Sequence, residues 1–282
     1  MKVIKADTLG YCMGVRRAVE SAEVALKEYH DKKVYSLGPL IHNPTALEEL
    51  SKKGLNIIEE KDIENLDGNS VVIIRAHGVS PDIKDKLVSK NVSIIDATCP
   101  RVTVSQNRVA EYSKEGYNVI LSGDKGHAEV EGIKGFCKGN FYCVQNLEEM
   151  TVLVNSTKLE KCLLLSQTTF SEVEFGKIAD LAEKKIPSVK IINTICPATR
   201  ERQEALERLC QKVEGVIVIG GRHSANTLRL YQKAAGFVKN AIHIETADEI
   251  PPEFKMLNTI GITAGASTPD SVIKSVENFL AQ

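Results

Sequence analysis

Short apolar runs alternate with polar breaks and helix-like segments along the whole chain. The pattern is plainest at 92–109, VSIIDATCPRVTVSQNRV. A β-branched run from Val92 to Ile95 passes through Asp96-Ala97-Thr98 to Cys99 and Pro100, and then to a segment that can run as a helix. Proline suits the first helical position, where its missing N–H has no intrahelical partner to lose. Cys99 is therefore expected between the carboxyl end of a strand and the N-terminus of a helix, where free N–H groups and the helix dipole favour a thiolate. The same order recurs around Cys196 at 189–203, VKIINTICPATRERQ, and more loosely at the start, where Val3-Ile4 leads to Gly10-Tyr11-Cys12 and MGVRRAVE. A period of about 90 residues is too long for a solenoid unit and fits a small α/β domain.

Two further strand–turn–helix patterns follow each cysteine. After Cys12 come VYSLGPLIHNPTALEEL and VVIIRAHGVSPDIKDKL; after Cys99, NVILSGDKGHAEVEGIKG and CLLLSQTTFSEVEFGKIADL; after Cys196, VIVIGGRHSANTLRLYQKA and TIGITAGASTPDSVIKSVENFL. The first of each pair breaks at His42, His127 or Ser224, the second at His77, Thr168 or Ser267, at closely matched distances past the cysteines. The pattern predicts an α/β protein of three homologous subdomains, 1–90, 91–187 and 188–282, related by a pseudo-three-fold axis. Each is expected to be a small, mostly parallel sheet with helices on both faces. Helices are predicted over 15–28, 44–53 and 81–90; over 102–114, 129–136 and 171–185; and over 198–213, 225–236 and 270–280.

Composition narrows the function. The 282 residues carry a formal net charge of −1 and no tryptophan. That leaves neither an electrostatic footprint for nucleic acid nor a base-stacking surface. No apolar run approaches the roughly 18 residues of a membrane span. The opening MKVIKADTLG lacks the apolar core of a signal peptide, so a cytoplasmic location is expected. Seven cysteines in a reducing compartment favour metal or catalytic roles over disulfides. No C-x-x-C pair suggests a zinc ribbon. Cys137, Cys143, Cys162 and Cys210 fall outside the repeat and read as packing residues. There is no G-x-G-x-x-G after a strand and no G-x-x-x-x-G-K-[ST], so no nicotinamide, flavin or NTP site is visible.

Open parallel sheets bind ligands at the carboxyl ends of their strands. Three such edges facing one centre would bring Cys12, Cys99 and Cys196 together, ringed by His42, His77, His127, Ser224, Asn226 and Ser267. Three thiolates with an open position suit zinc, or an iron–sulfur cube with one iron left for substrate; the spacing alone leaves both open. The histidines, hydroxyls and amide form an anion-binding set, for which a phosphate or diphosphate is the natural guest. Ser224, Ser267 and Thr168, taken singly, also read as ordinary helix caps. A histidine beside glycine at a strand end, as in RAHG (75–78) and GHAE (126–129), has no packing motive. Redox chemistry at such a centre requires electrons from a partner protein. Glu129 is the only carboxylate within two residues of a candidate histidine.

At these residues the chain resembles the IspH (LytB) family over essentially its whole length. The matching stretches are GYCMGVRRAV, GPLIHNP, RAHGVSP, DATCPRV, GHAEVEG, SQTT, NTIC-ATRERQ, HSAN and TAGASTP. The resemblance implies three α/β subdomains around a [4Fe–4S] cluster held by Cys12, Cys99 and Cys196. It implies diphosphate binding by His42, His77, His127, Ser224, Asn226 and Ser267, and proton delivery by Glu129 assisted by Thr168, with His127 beside them. The implied reaction is reductive dehydroxylation of 4-hydroxy-3-methylbut-2-enyl diphosphate (HMBPP) to isopentenyl and dimethylallyl diphosphate, the last step of the non-mevalonate route to isoprenoids. Electrons would come from an external donor such as ferredoxin or flavodoxin. One departure is Ala225, where many relatives carry a second serine. Two other classes fit the same skeleton: a quinolinate-synthase-like three-cysteine dehydratase with no net redox, and a non-enzymatic metal-dependent anion sensor.

Overall fold

The computed structural model describes residues 1–281. The chain opens with β1 (Lys2–Lys5) and α1 (Met13–Glu28). Then β2 (Lys33–Leu37), α2 (Pro44–Lys52), β3 (Asn56–Ile58), β4 (Ser70–Ile74) and α3 (Pro81–Ser89) lead to β5 (Ser93–Asp96). Next, α4 (Pro100–Lys114), β6 (Asn118–Ser122), α5 (Ala128–Lys134), β7 (Phe141–Val144), α6 (Leu147–Ser156), β8 (Lys161–Ser166) and α7 (Glu172–Lys185) lead to β9 (Ser188–Ile192). The chain continues through α8 (Pro197–Cys210), β10 (Gly215–Ile219), α9 (Ala225–Phe237), β11 (Asn240–Ile244), β12 (Thr259–Ala264) and α10 (Asp270–Leu280).

The strands form three four-stranded sheets, ordered β3-β2-β4-β5, β7-β6-β8-β9 and β1-β12-β10-β11. Every pairing is parallel. The α/β class read from the sequence thus holds, and the sheets are wholly rather than mostly parallel. Two compact units result. One joins Met1–Glu23, Pro39–Leu55 and the chain from Pro197 onward, and contains the β1-β12-β10-β11 sheet. The other joins Val24–Gly38 and Asn56–Cys196, and contains the other two sheets.

The breaks at 90/91 and 187/188 follow the sequence repeat but not the sheets. The strands before Cys99 and Cys196 pair backwards, β5 with β4 and β9 with β8, whereas β1, before Cys12, pairs forward with β12. The reason is local. A parallel pair needs a crossover long enough for a helix, and α3 and α7 supply it between β4 and β5 and between β8 and β9. Each cysteine therefore follows an edge strand, and for Cys99 and Cys196 that strand completes a sheet whose other strands precede it.

The central strands are buried on both faces, which explains their unbroken apolar runs. β4 and β10 are buried at every position. In the first unit, Ile217, Ile219, Ile260 and Ile262 pack with Val272 and Val276 of α10, while Val216 and Val218 pack with Leu206 of α8 and Leu230 of α9. In the second, Leu121, Leu163 and Leu165 face Val102 and Val109 of α4 and Ile133 of α5; Ile120 and Leu164 face Met150 of α6 and Phe175 and Ile178 of α7. The sequence pattern names no helix over 147–156, yet α6 forms there. Asn146 caps it by accepting the Glu149 N–H, and Met150 anchors it.

Candidate active site

In chain order two of the sheets run second, first, third, fourth, and β11-β10-β12-β1 repeats that layout with β1 in the place of the fourth strand, so each sheet's direction of growth reverses at one point. These reversal points lie between β2 and β4, β6 and β8, and β10 and β12, and such points are where parallel sheets bind ligands. The candidate residues follow those strands. His42, His127 and Ser224 stand at one common distance past β2, β6 and β10. His77 and Ser267 stand at another past β4 and β12, but the residue matching them after β8 is Thr169. Thr168, which the sequence aligned with them, lies one place earlier.

Hydrogen bonding of the cysteines supports this register. The Cys99 N–H donates to the Ala76 carbonyl at 2.9 Å, the Cys196 N–H to Thr168 at 2.8 Å, and the Cys12 N–H to Ala266 at 3.0 Å. Each acceptor is the second residue past its strand. All three cysteines are thus held by one repeated bond to the loop just past a strand that neighbours their own. Cys99 caps α4 in an extended conformation before Pro100. The Val15 N–H donates to Cys12 Sγ at 3.5 Å.

The other cysteines are of a different kind, and all seven are outside disulfides. Cys162 lies within β8 and Cys210 ends α8, both buried. Burial pushes the Cys143 and Cys162 thiols up to about 11 and raises that of Cys210. The Cys143 thiol donates to the Gly123 carbonyl and that of Cys137 to Gly139. Cys143, Cys162 and Cys210 therefore stay thiols at neutral pH, which unsuits them as metal ligands.

In the unit holding residues 56–196, four candidate side chains connect. Glu129, in the first turn of α5, is 2% exposed. One of its carboxylate oxygens accepts the Thr168 N–H and the other the Thr168 hydroxyl, both at 2.7 Å. The Glu129 N–H donates to His127 Nδ1 at 3.1 Å, which puts the proton of the neutral ring on Nε2. The His127 and His77 rings meet edge-on, 5.1 Å between centroids. Sequence reasoning missed Gln167, which is fully buried. It accepts the Asp124 N–H at 2.8 Å and donates to the Thr169 hydroxyl at 3.2 Å, tying the His127 loop to the end of β8. Its only signal was a polar residue between an apolar strand and the threonines of SQTT.

The unit containing α9 holds the remaining candidates. Ser224 caps α9 by accepting the Thr227 N–H. Asn226 is 5% exposed, and its amide nitrogen makes no hydrogen bond within the protein. Buried polar groups rarely go unmatched in this way unless they serve a bound group. The Ser267 hydroxyl donates to the His42 carbonyl at 3.1 Å. Gly221 approaches the same carbonyl so closely that a Cβ would lie 2.3 Å from its oxygen. Beside Cys12, burial and then the charges of Glu49, Asp270 and Glu23 push the Tyr11 phenol up to about 12, against Arg16. It therefore stays protonated. Among the described residues, no helix is long and apolar enough to cross a membrane.

These features define a class: a parallel α/β protein in which each of three sheets anchors one cysteine and offers polar side chains at its reversal point. The chain belongs to the LytB family, whose model, described as LytB protein, matches residues 3–281. It is 43% identical over 277 residues to the 4-hydroxy-3-methylbut-2-enyl diphosphate reductase of Thermoanaerobacter sp. (strain X514), covering 98% of this chain and 95% of that protein. It is 41% identical over 284 residues to the protein of that name from Aquifex aeolicus (strain VF5), covering 99% and 96%. A solved (E)-4-hydroxy-3-methyl-but-2-enyl diphosphate reductase, described as the terminal enzyme of the non-mevalonate pathway, matches with a TM-score of 0.74 at 40% identity, covering 100% of this chain and 99% of that one. The Plasmodium falciparum E-1-hydroxy-2-methyl-but-2-enyl-4-diphosphate reductase matches with a TM-score of 0.91 at 30% identity, covering 100% and 88%.

Proposed function

We propose that this chain reduces HMBPP to isopentenyl and dimethylallyl diphosphate, with Cys12, Cys99 and Cys196 holding a [4Fe–4S] cluster. The supporting observation is the one N–H bond repeated at these three cysteines and at none of the other four. Strand-end thiols at helix starts fit a thiolate-ligated cluster, whereas the four buried or hydrogen-bonded thiols do not. Such a cluster, when bound, supplies electrons and a Lewis-acidic iron. The overall change replaces a C–O bond by a C–H bond, consuming two electrons and two protons and releasing water. The electrons come from an external one-electron donor.

The remaining roles belong to the chain's own groups. His42, His77, His127, Ser224, Asn226 and Ser267 bind the diphosphate. The unmatched Asn226 amide N–H suits a phosphate oxygen, and the neutral His127 ring has its donor at Nε2. Clamping the diphosphate spends remote binding energy on orienting the reacting end. Glu129 and Thr168 hold and move the proton. With Glu129 ionised, the Thr168 hydroxyl donates to it; with Glu129 protonated, the bond reverses and the hydroxyl proton is released to the substrate. Burial keeps bulk water from supplying that proton.

Anaerobically purified protein should contain iron and acid-labile sulfide, and should convert HMBPP to both products with a chemical reductant; no turnover under those conditions would refute the reading. His42→Ala and Asn226→Ala should each weaken binding by about 1.5–3 kcal/mol, the scale of a hydrogen bond to a charged group. Asn226→Ala breaks no protein hydrogen bond at the amide nitrogen, so its effect reports on ligand. Inorganic diphosphate should compete with substrate in a titration. Equal affinity for the unphosphorylated alcohol would show that the ring binds something else.

A further inference from the structure

We propose that Asp96 and Asn193 are positioning residues, each fixing the backbone of a cysteine loop so that Cys99 and Cys196 are poised for the metal. This rests on the cluster reading above. Asp96 ends β5 and Asn193 directly follows β9, and each stands three residues before its cysteine. Asp96 Oδ1 accepts the Thr98 N–H at 3.0 Å, and Asn193 Oδ1 accepts the Ile195 N–H at 3.0 Å. Both are side-chain turns that mimic a backbone turn. The next amide in each loop is that of the cysteine itself, which the neighbouring strand end already holds. Two consecutive amides leading into the cysteine are therefore fixed in both loops. Such fixation orders a metal ligand before the metal arrives, as supporting residues do around built metal sites.

The two turns differ in charge. Asp96 also accepts the Thr98 hydroxyl at 2.5 Å and pairs with the Lys84 ammonium of α3 at 2.9 Å. Asn193 is neutral, and the adjacent Thr194 hydroxyl accepts the Ser166 N–H at 2.9 Å. The Cys12 loop has no such turn, since Leu9 stands three residues before the cysteine. It is held from outside, by the buried Arg202 donating to the Gly10 carbonyl at 2.7 Å. Sequence similarity among the three loops hides two kinds of support, a side-chain turn in two of them and Arg202 in the third. A residue that merely ended a strand would need neither the acceptor geometry nor its repetition in the second loop.

The test uses Asp96→Asn, Asp96→Ala, Asn193→Asp and Asn193→Ala. Iron and sulfide content, the half-life of the cluster under a chelator, and its reduction potential are measured beside wild type. Hydrogen exchange of residues 98–99 and 195–196 is followed in cluster-free protein. The alanine variants should lose the cluster roughly five-fold to thirty-fold faster, the factor set by one or two lost hydrogen bonds, with protection lost at the affected loop alone. Asp96→Asn keeps the acceptor, so it should keep the half-life while its potential moves positive; Asn193→Asp should move it negative, because cluster potentials follow local charge. Wild-type half-life and wild-type amide protection in both alanine variants would overturn the proposal while leaving the cluster standing. A wild-type protein without iron and sulfide would overturn the cluster, and the proposal with it. Should one alanine variant fail to fold, the other decides: wild-type half-life with wild-type amide protection at its own loop would overturn the proposal.

Discussion

Serine in place of Cys12, Cys99 or Cys196 is expected to abolish the iron–sulfur cluster and reduce HMBPP turnover to background, while serine at Cys137, Cys162 or Cys210 leaves both largely intact. The contrast follows from where the thiols sit. The first three share an N–H bond to the second residue past a strand and open a helix. Serine keeps that backbone bond and the shape of the turn, so folding should survive. It removes the soft, readily ionised sulfur that an iron–sulfur cluster needs. Cys162 is locked inside β8, and Cys210 packs with Val216 and Leu230. Serine there costs stability through a buried hydroxyl, not metal. Iron and sulfide analysis, an electronic spectrum and steady-state rates on six anaerobically prepared variants give the answer. A wild-type protein carrying zinc and no labile sulfide would refute the assignment, as would cluster retention after replacement of any of the three.

The second large effect is expected at Glu129. Glu129→Gln should keep the cluster and bind HMBPP normally, yet turn over about 10²-fold to 10⁴-fold more slowly, the scale of a lost general acid. The side-chain carbonyl of glutamine still accepts the Thr168 N–H, and its amide still bonds the Thr168 hydroxyl, so both 2.7 Å contacts keep partners. Only the exchangeable acid proton is gone. Glu129→Ala is a harsher change, leaving the buried Thr168 N–H unmatched at a cost of about 1–3 kcal/mol; a fall in melting temperature should separate it from glutamine. Near-wild-type turnover of Glu129→Gln would reduce Glu129 to a first-turn residue that ties α5 to Thr168. Loss of binding together with turnover would move it into the diphosphate clamp.

How much of this was legible in the sequence depends on the range of the contact. The cysteine loops were readable because strand, turn and proline-started helix lie within a few residues of one another. The cap residues were readable for the same reason, down to Ser224 at the start of α9. Pairing partners were not. An apolar run such as Val92–Ile95 states that a strand is buried but not beside which neighbour, so β5 was read into the following sheet although it joins the preceding one. The one-residue offset at Thr168 has a similar origin. Position counted from a cysteine carries the length of every loop between, whereas position counted from the strand end does not. The Glu129–Thr168 contact and the support of the His42 carbonyl by Ser267 join residues far apart in sequence. No local pattern encodes either one.

The pairing of β1 with β12 has a consequence for the time course of folding. Lys2 pairs with Thr259 and Lys5 with Ile262, so the first strand made must wait for one of the last. Closing so long a loop is entropically slow, and parallel pairings with long crossovers are slow in general. The β7-β6-β8-β9 sheet draws its strands from a continuous stretch and can form while later residues are still being synthesised. Cys196 can therefore gain its anchor on Thr168 during translation, as Cys99 can on Ala76. Cys12 is made first and anchored last, because its acceptor, Ala266, lies beyond β12. Until then the earliest thiol rides on a strand without a sheet, exposed to oxidants and stray metals.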